Sequence, residues 1–415
     1  MNKFVSRLAA STLLLIFVAF LAGCAVSNRT VQDTPKKRWG TAALMVVVER
    51  ESGSVLVFDS TKHEFLGRIT GLGNLKHATM VFSRDGSYAY VFQRDGWMSK
   101  LDLLSLELVK RVKAGDDSIG GAITQDGKYI AVGNYKPGGI TIVDAETMEI
   151  VKVIPAIRDL GDGKTMESRV VGVADAPDNL LLFALMDADG IWIVDAGKPD
   201  FPVIKKHWDI GAEGDTGAMP YDAFLGSDGR YYVVGLLNAN YMAMIDTWNL
   251  EAGVQKILTE QGAEPGKVPL WKVPHLEGWT VMGGLAVVPA LKENRVIVYD
   301  AKSWELVKYI DTLGTALFNV GSPDGKKVWV DIVGPGGDSI QVIDIKTLSV
   351  VKTIKVGEGA IHPQFTPKGE AVYVSVMDEG KVVVYNSATY EKIKEFPAQR
   401  PSGIFCTSRA HQFGL

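Results

Sequence analysis

Two cysteines in 415 residues, Cys24 and Cys406, permit one disulfide at most and form no CxxC pair. Histidine is almost as sparse, with six residues, no HExxH and no closely spaced pair, so no zinc-site pattern is present. Charge of one sign is not in excess: 44 Lys and Arg stand against 48 Asp and Glu, a net of -4 that argues against a nucleic-acid partner. No GxSxG, no P-loop and no nicotinamide-binding fingerprint occurs, which removes the commonest hydrolase, nucleotide-phosphate and dinucleotide readings. Sustained helical periodicity is also missing. What remains is a chain rich in glycine, 44 residues, and in short apolar runs that alternate or stay continuous over the length of a strand.

The one long apolar run is N-terminal. Lys3 and Arg7 precede an uncharged stretch from Leu8 to Gly23, 16 residues long. That is short of the roughly 20 residues a spanning helix needs and suits an export signal. It ends in Leu21-Ala22-Gly23-Cys24, the pattern of a bacterial lipobox. Residues 1–23 are therefore expected to be a lipoprotein signal peptide, Cys24 the acylated first residue of the mature chain, and 24–40 a polar tether. Localisation follows as the periplasm, with the membrane engaged by the lipid alone. With Cys24 acylated, Cys406 has no disulfide partner, and the exported fold must be stabilised by its core.

From residue 41 onward one unit repeats. "VLVFDSTKHEFLGRI" at 55–69 returns as "MSKLDLLSLELVKRV", "ITIVDAETMEIVKVI", "IQVIDIKTLSVVKTI" and "VVVYNSATYEKIKEF", with looser copies between. Each copy is a strand, a polar turn and a second strand. The turn markers are Asp59, Asp102, Asp144, Asp195, Asp246, Asp300, Asp344 and Asn386, at spacings of 43, 42, 51, 51, 54, 44 and 42. Further strand pairs lie between them, split by turns such as Asp85-Gly86, Asp126-Gly127 and Asp324-Gly325. Four strands per unit, eight times, predicts an all-β, eight-bladed β-propeller over 41–415. The first unit lacks an innermost strand, and "SGIFCTSR" near the C-terminus is shaped to supply it, closing the ring.

In such a ring the first strand of each blade lines the central pore, and the link feeding it opens on one face. His77 falls at one of these strand mouths. Equivalent places in other blades hold Asp117-Ser118, Arg169, Tyr221-Asp222, His275, Asn319 and His362. The links before Arg169, Tyr221 and His275 are the long ones, and long links gathered over a pore form the walls of a pocket. A lone histidine in a strand is usually structural. Three at equivalent mouths, among arginines, point to a ligand.

The segment from His77 through "SRDGSYAYVFQRDG" resembles the heme d1 domain of cytochrome cd1 nitrite reductase, an eight-bladed propeller. The likeness continues through "VGNYKPGGITIVDAETMEIVK", "SRVVGV", "IHPQFTPKGEAVYVSV" and the closing "RPSGIF", and covers residues 41 to 408. The CxxCH-bearing cytochrome c domain of that reductase has no counterpart, so the chain looks most like the periplasmic heme d1 biosynthesis proteins of denitrifying bacteria. The resemblance implies a tetrapyrrole ligand, heme d1 or dihydro-heme d1, as substrate, product or cargo. It implies His77 as axial ligand of the heme iron, and Arg50, Arg94 and Arg169 near the carboxylates of the macrocycle, which guanidinium groups bind well. Tyr135 matches a tyrosine beside the pocket.

The departures from the reductase matter as much. One of its two distal histidines is matched by His275, the other is replaced by Tyr221, and an arginine is replaced by Asp117. With a carboxylate where a cation held the anion, nitrite reduction is disfavoured. Asp117, Tyr221 and His275 then become candidates for a late maturation step, for which an oxidation of a macrocycle side chain is the suggested chemistry. A carboxylate against an apolar ring can accept a proton, unless an arginine compensates its charge. Without a nicotinamide site, electrons would leave through the iron or a partner. The residues leave two roles open: an oxidoreductase of dehydrogenase type, or a non-enzymatic carrier that delivers heme d1 to apo nitrite reductase. Nitrite reductase and other heme d1 biosynthesis proteins are the implied partners.

Overall fold

The computed structural model describes residues 40–208, 210, 217–226, 229–239, 241–257, 280–290, 293–334 and 337–412. The predicted signal peptide, Cys24, most of the tether and His275 lie outside these residues. Among the described residues no helix is long and apolar enough to cross a membrane.

The eight repeats fold as expected, into eight four-stranded antiparallel sheets. The physical basis of the repeat is its turn marker. Asp59 Oδ1 accepts the backbone N–H of Thr61 and Lys62, at 2.9 and 3.2 Å. Asp102, Asp144, Asp300 and Asn386 each accept the same pair of N–H groups in their own turns. Asp195, Asp246 and Asp344 accept one. A short acceptor side chain that bonds its own backbone two residues on is what makes Asp and Asn turn formers. Four residues after the marker, His63, Leu106, Met148, Trp304, Leu348 and Tyr390 take a left-handed φ between 48° and 63°. Each costs roughly 1 kcal/mol for a side chain with a Cβ, and each lets the strand pair slip by one residue into a bulge. His63 is thus a turn residue of blade 1.

The second and third strands of the blades are buried on both faces and read as continuous apolar runs, as in Ala371–Val376. The outermost strands are exposed and rich in lysine, as in Glu107–Lys113 and Lys392–Pro397. Charged edge strands discourage pairing with another chain. The ring closes where Pro401–Cys406 pairs with Leu44–Glu49, so the C-terminus provides blade 1 with its inner strand and buries Cys406 there.

The strand directions define two ends of the pore. Inner strands begin at the mouth, and second strands end there. His77, Asp117, Arg169 and Tyr221 precede or open inner strands, while Arg50, Arg94 and Tyr135 close or follow second strands, so all seven reach one face. The opposite end is closed by Arg84, in the turn after the inner strand of blade 2. Its guanidinium donates to Ile123 O, Thr124 O, Ala410 O and Gln412 O, and pairs at 2.8 Å with Asp175, whose side chain is fully buried. One side chain thus ties blades 2, 3 and 4 to the C-terminal turn. Arg84→Ala takes the guanidinium from a buried carboxylate and is expected to cost about 3 kcal/mol, read as a lower urea midpoint. An unchanged midpoint would show that the bottom closure contributes no stability.

Candidate functional site

Five inner strands depart from regular pairing near the mouth, whereas the inner strand of blade 2, Thr79–Phe82, pairs in regular register. The register slips between Ser118 and Gly120, Val171 and Ala174, Pro220 and Asp222, Ala316 and Asn319, and Ile361 and Gln364. A left-handed residue recurs at the same level: His77 at φ 56°, Gly172 at 58°, Met219 at 55°, His362 at 54° and Arg400 at 49°. The fold therefore places a left-handed residue at several strand mouths, and strained residues of this kind gather at functional sites. His77 is one of them and is exposed. His362 is another but is buried: its ring centre lies 4.1 Å from that of Phe318, and its backbone N–H donates to the Asp331 carboxylate at 3.0 Å. Of the two, only His77 stands open to the pore.

His77, Thr79, Gly120, Tyr135, Val173 and Tyr221 line a cavity of about 680 Å³, measured with its open mouth. Its walls come from the inner strands of blades 2 to 5, with Tyr135 added from the second strand of blade 3. At Gly172 a side chain would meet the Ala223 Cβ at 2.5 Å, so only glycine lets blades 4 and 5 close up here.

The arginines at the mouth differ in their partners. Arg94 pairs with Asp117 at 2.8 Å, reaches Ser118 O at 3.5 Å, and lies 4.8 Å from the centre of the Tyr135 ring. Arg169 lies 5.5 Å from the same ring and is gripped by Asp187, with side-chain nitrogens 2.6 to 3.2 Å from both carboxylate oxygens. Arg50 has no ion pair among the described residues. Its Nε is buried without a hydrogen-bond partner, Nη1 reaches only the Met377 sulfur at 4.0 Å, and its charged neighbour is Arg400. Burial and then Arg400 lower its pKa, the mark of a cation awaiting an anion.

Burial pushes the Tyr135 phenol up to about 12, reinforced by Tyr221 and opposed by Arg94 and Arg169. Tyr221 is raised for the same first reason, with Asp222 next. Both phenols hold their protons at neutral pH and are available as hydrogen-bond donors.

The structure thus brings His77, Asp117, Arg94, Arg169, Tyr135 and Tyr221 together and sets Arg50 on the same face beside blade 8. Asp187 and Arg400 were not singled out from sequence. Asp187 sits in "MDADG", where an aspartate reads as a turn former, and Arg400 precedes a proline in a link. Asp116, adjacent to Asp117, is largely exposed and pairs only with Lys113 at 3.6 Å. Among the described residues, no group of three or more His, Cys, Asp or Glu is arranged to hold a metal ion.

The family model of the cytochrome D1 heme domain matches residues 39–410. The chain belongs to the cytochrome D1 heme domain family. Within that family it is 42% identical over 400 residues to Protein NirF of Pseudomonas aeruginosa, covering 96% of this chain and 98% of that one. Protein NirF of Stutzerimonas stutzeri is 43% identical over 403 residues, 97% and 99% of the two chains. The dihydro-heme d1 dehydrogenase of Pseudomonas aeruginosa is 30% identical over 385 residues, 91% of this chain and 73% of that protein. Among solved structures, dihydro-heme d1 dehydrogenase NirN in complex with DHE superposes with a TM-score of 0.77 at 28% identity, covering 91% of this chain and 78% of that one. AztD from Citrobacter koseri, at 16% identity and a TM-score of 0.59, shares the fold alone.

Proposed function

We propose that this protein binds heme d1, or its late precursor dihydro-heme d1, in the mouth of the propeller pore and serves a late step of heme d1 biosynthesis in the periplasm. The observation that carries the reading is the cavity lined by His77 and Tyr135, with Arg94 and Arg169 over the Tyr135 ring, and with Arg50 on the same face half-buried and without an ion pair among the described residues. A macrocycle with carboxylate side chains fits that donor set: an imidazole for the iron, phenols and apolar walls for the ring, a waiting guanidinium for a carboxylate. The likeness to NirF proteins and to the dehydrogenase NirN supports the same ligand class.

In this reading His77 holds the iron, and Arg50, Arg94 and Arg169 face carboxylates. The group itself supplies a redox-active iron and a conjugated ring. Tyr135 and Tyr221 keep their protons and orient what lies over the ring, and Asp117 takes a proton from a side-chain carbon. A second reading, a carrier for apo nitrite reductase, gains from one observation: the Asp117 carboxylate is already engaged by the Arg94 guanidinium at 2.8 Å, as a wall residue would be.

Anaerobic incubation with dihydro-heme d1 and an electron acceptor separates the two. Loss of two hydrogens, as two protons and two electrons, supports the maturation step. Unchanged mass together with transfer to apo nitrite reductase supports the carrier. A wild-type protein that leaves the visible spectrum of heme d1 unaltered overturns both.

Anchoring is part of the proposal, resting on the lipobox ending at Cys24. Cys24→Ser is expected to release the protein into the soluble periplasm or leave it unprocessed, while purified protein still shifts the heme d1 spectrum. A processed, membrane-bound Cys24→Ser protein would refute the lipid anchor.

A further inference from the structure

Arg169 already has, within the protein, the partner that a ligand carboxylate would be. Asp187 faces its guanidinium through both oxygens, with Nε 2.9 Å from Oδ2 and Nη2 2.6 Å from Oδ1, the fork geometry by which arginine binds carboxylates. Both side chains are about one-third exposed, 35% and 34%, so the pair sits at the rim and not in the core. The turn that carries Asp187 is fixed independently of the pair: the Ser168 hydroxyl, fully buried, accepts the N–H groups of Asp187 and Ala188 at 3.0 and 3.3 Å. The carboxylate can therefore swing to water by a change of side-chain rotamer with the backbone in place. Arg50, on the same face, carries no such internal carboxylate.

We propose that Asp187 is an internal stand-in for a ligand carboxylate. It occupies the Arg169 fork in the empty protein and gives it up when a carboxylate of the bound macrocycle takes its place. This rests on the tetrapyrrole reading above and adds to it a determinant of affinity. Exchange of one carboxylate for another leaves the local charge unchanged, so Arg169 never stands uncompensated. It also sets a ceiling on how tightly the ligand is held, which suits a protein that must pass its ligand on. A competitor worth a partly exposed ion pair lowers the competent fraction of the site by roughly two- to fivefold.

The test is a titration of the full chain with heme d1, comparing wild type and Asp187→Asn. Asparagine keeps an oxygen to accept the Arg169 backbone N–H, which now bonds Asp187 Oδ2 at 2.9 Å, but it no longer competes as an anion. Asp187→Asn should bind heme d1 about two- to fivefold more tightly. The gain should vanish with iron octaethylporphyrin, which has no carboxylates, and in the double variant Arg169→Gln/Asp187→Asn. An unchanged or weaker affinity for heme d1, or an equal gain with the carboxylate-free porphyrin, overturns the inference. Asp187→Ser carries the same expectation should the asparagine variant fail to fold. Wild type that does not bind heme d1 brings down the tetrapyrrole reading itself; wild type that binds as tightly as Asp187→Asn brings down only the stand-in.

Discussion

His77→Ala is expected to move the visible absorption bands of bound heme d1 and to weaken binding by at least about a hundredfold, since losing even a partner of a metal ligand costs 10- to 100-fold. The histidine stands two residues before the inner strand of blade 2 with a left-handed φ, exposed and lining the cavity with Tyr135 and Tyr221. Removing the imidazole takes away the nitrogen proposed to bind iron. It also places alanine at φ 56°, where a Cβ is strained, so His77→Asn is the cleaner variant: asparagine tolerates that conformation and does not replace imidazole as a strong ligand. Both variants should lose the bands to a similar degree if the imidazole is what matters. His63 and His411 are the controls. His63 lies 3.1 Å from the Tyr373 hydroxyl in a turn at the outer part of blade 1, and His411 ends the C-terminal 3-10 turn, so their alanine variants should titrate as wild type. A His77→Ala protein with the wild-type spectrum and affinity would remove the axial assignment.

The reach of sequence reasoning followed the range of the interactions concerned. The eight blades were visible because their markers act locally. Asp59 bonds Thr61 and Lys62, two and three residues away, so the chemistry that makes the turn is written beside it. Strand direction then placed His77, Asp117, Arg169 and Tyr221 on one face without any contact being known, while Arg50, Arg94 and Tyr135 came from the resemblance to the heme d1 domain. The closing strand was legible too, because blade 1 began one strand short.

What escaped were pairings across many residues or between blades. Arg84 stands 91 residues from Asp175, and nothing in its Arg-Asp-Gly turn announces a plug for the far end of the pore. The long link before Arg169, expected as part of a pocket wall, carries a two-stranded hairpin, Ile157–Gly161 with Lys164–Glu167. Glu167 holds it to the Gly138 N–H of blade 3 at 2.5 Å, and Arg158 to Ala188 O of blade 4 at 2.8 Å. The partners of the arginines were invisible for the same reason. A sequence shows how many cations reach a face, but not which of them the fold has already neutralised.

Asp117→Asn is expected to fold, to bind heme d1 within a few-fold of wild type, and to fail to support heme d1 formation in cells. Asp117 could have been one of a pair of turn aspartates, but the structure divides the two. Asp116 points to solvent, whereas Asp117 opens the inner strand of blade 3 and holds Arg94 at 2.8 Å, with Arg94 in turn on the face of Tyr135. Asparagine keeps the shape and one acceptor for Arg94. The lost charge pair is partly exposed and worth at most about 1 kcal/mol, so neither the fold nor the cavity should give way. What asparagine cannot do is accept a proton, and removing a positioned general base typically costs about 10²- to 10⁴-fold in rate. The Arg94 pair makes the experiment sharper. If the carboxylate serves only to fix Arg94, asparagine replaces most of that role, and cells carrying Asp117→Asn should make heme d1 normally. Full complementation would therefore assign Asp117 to the wall of a carrier, and its absence, with binding retained, to proton transfer on the bound precursor.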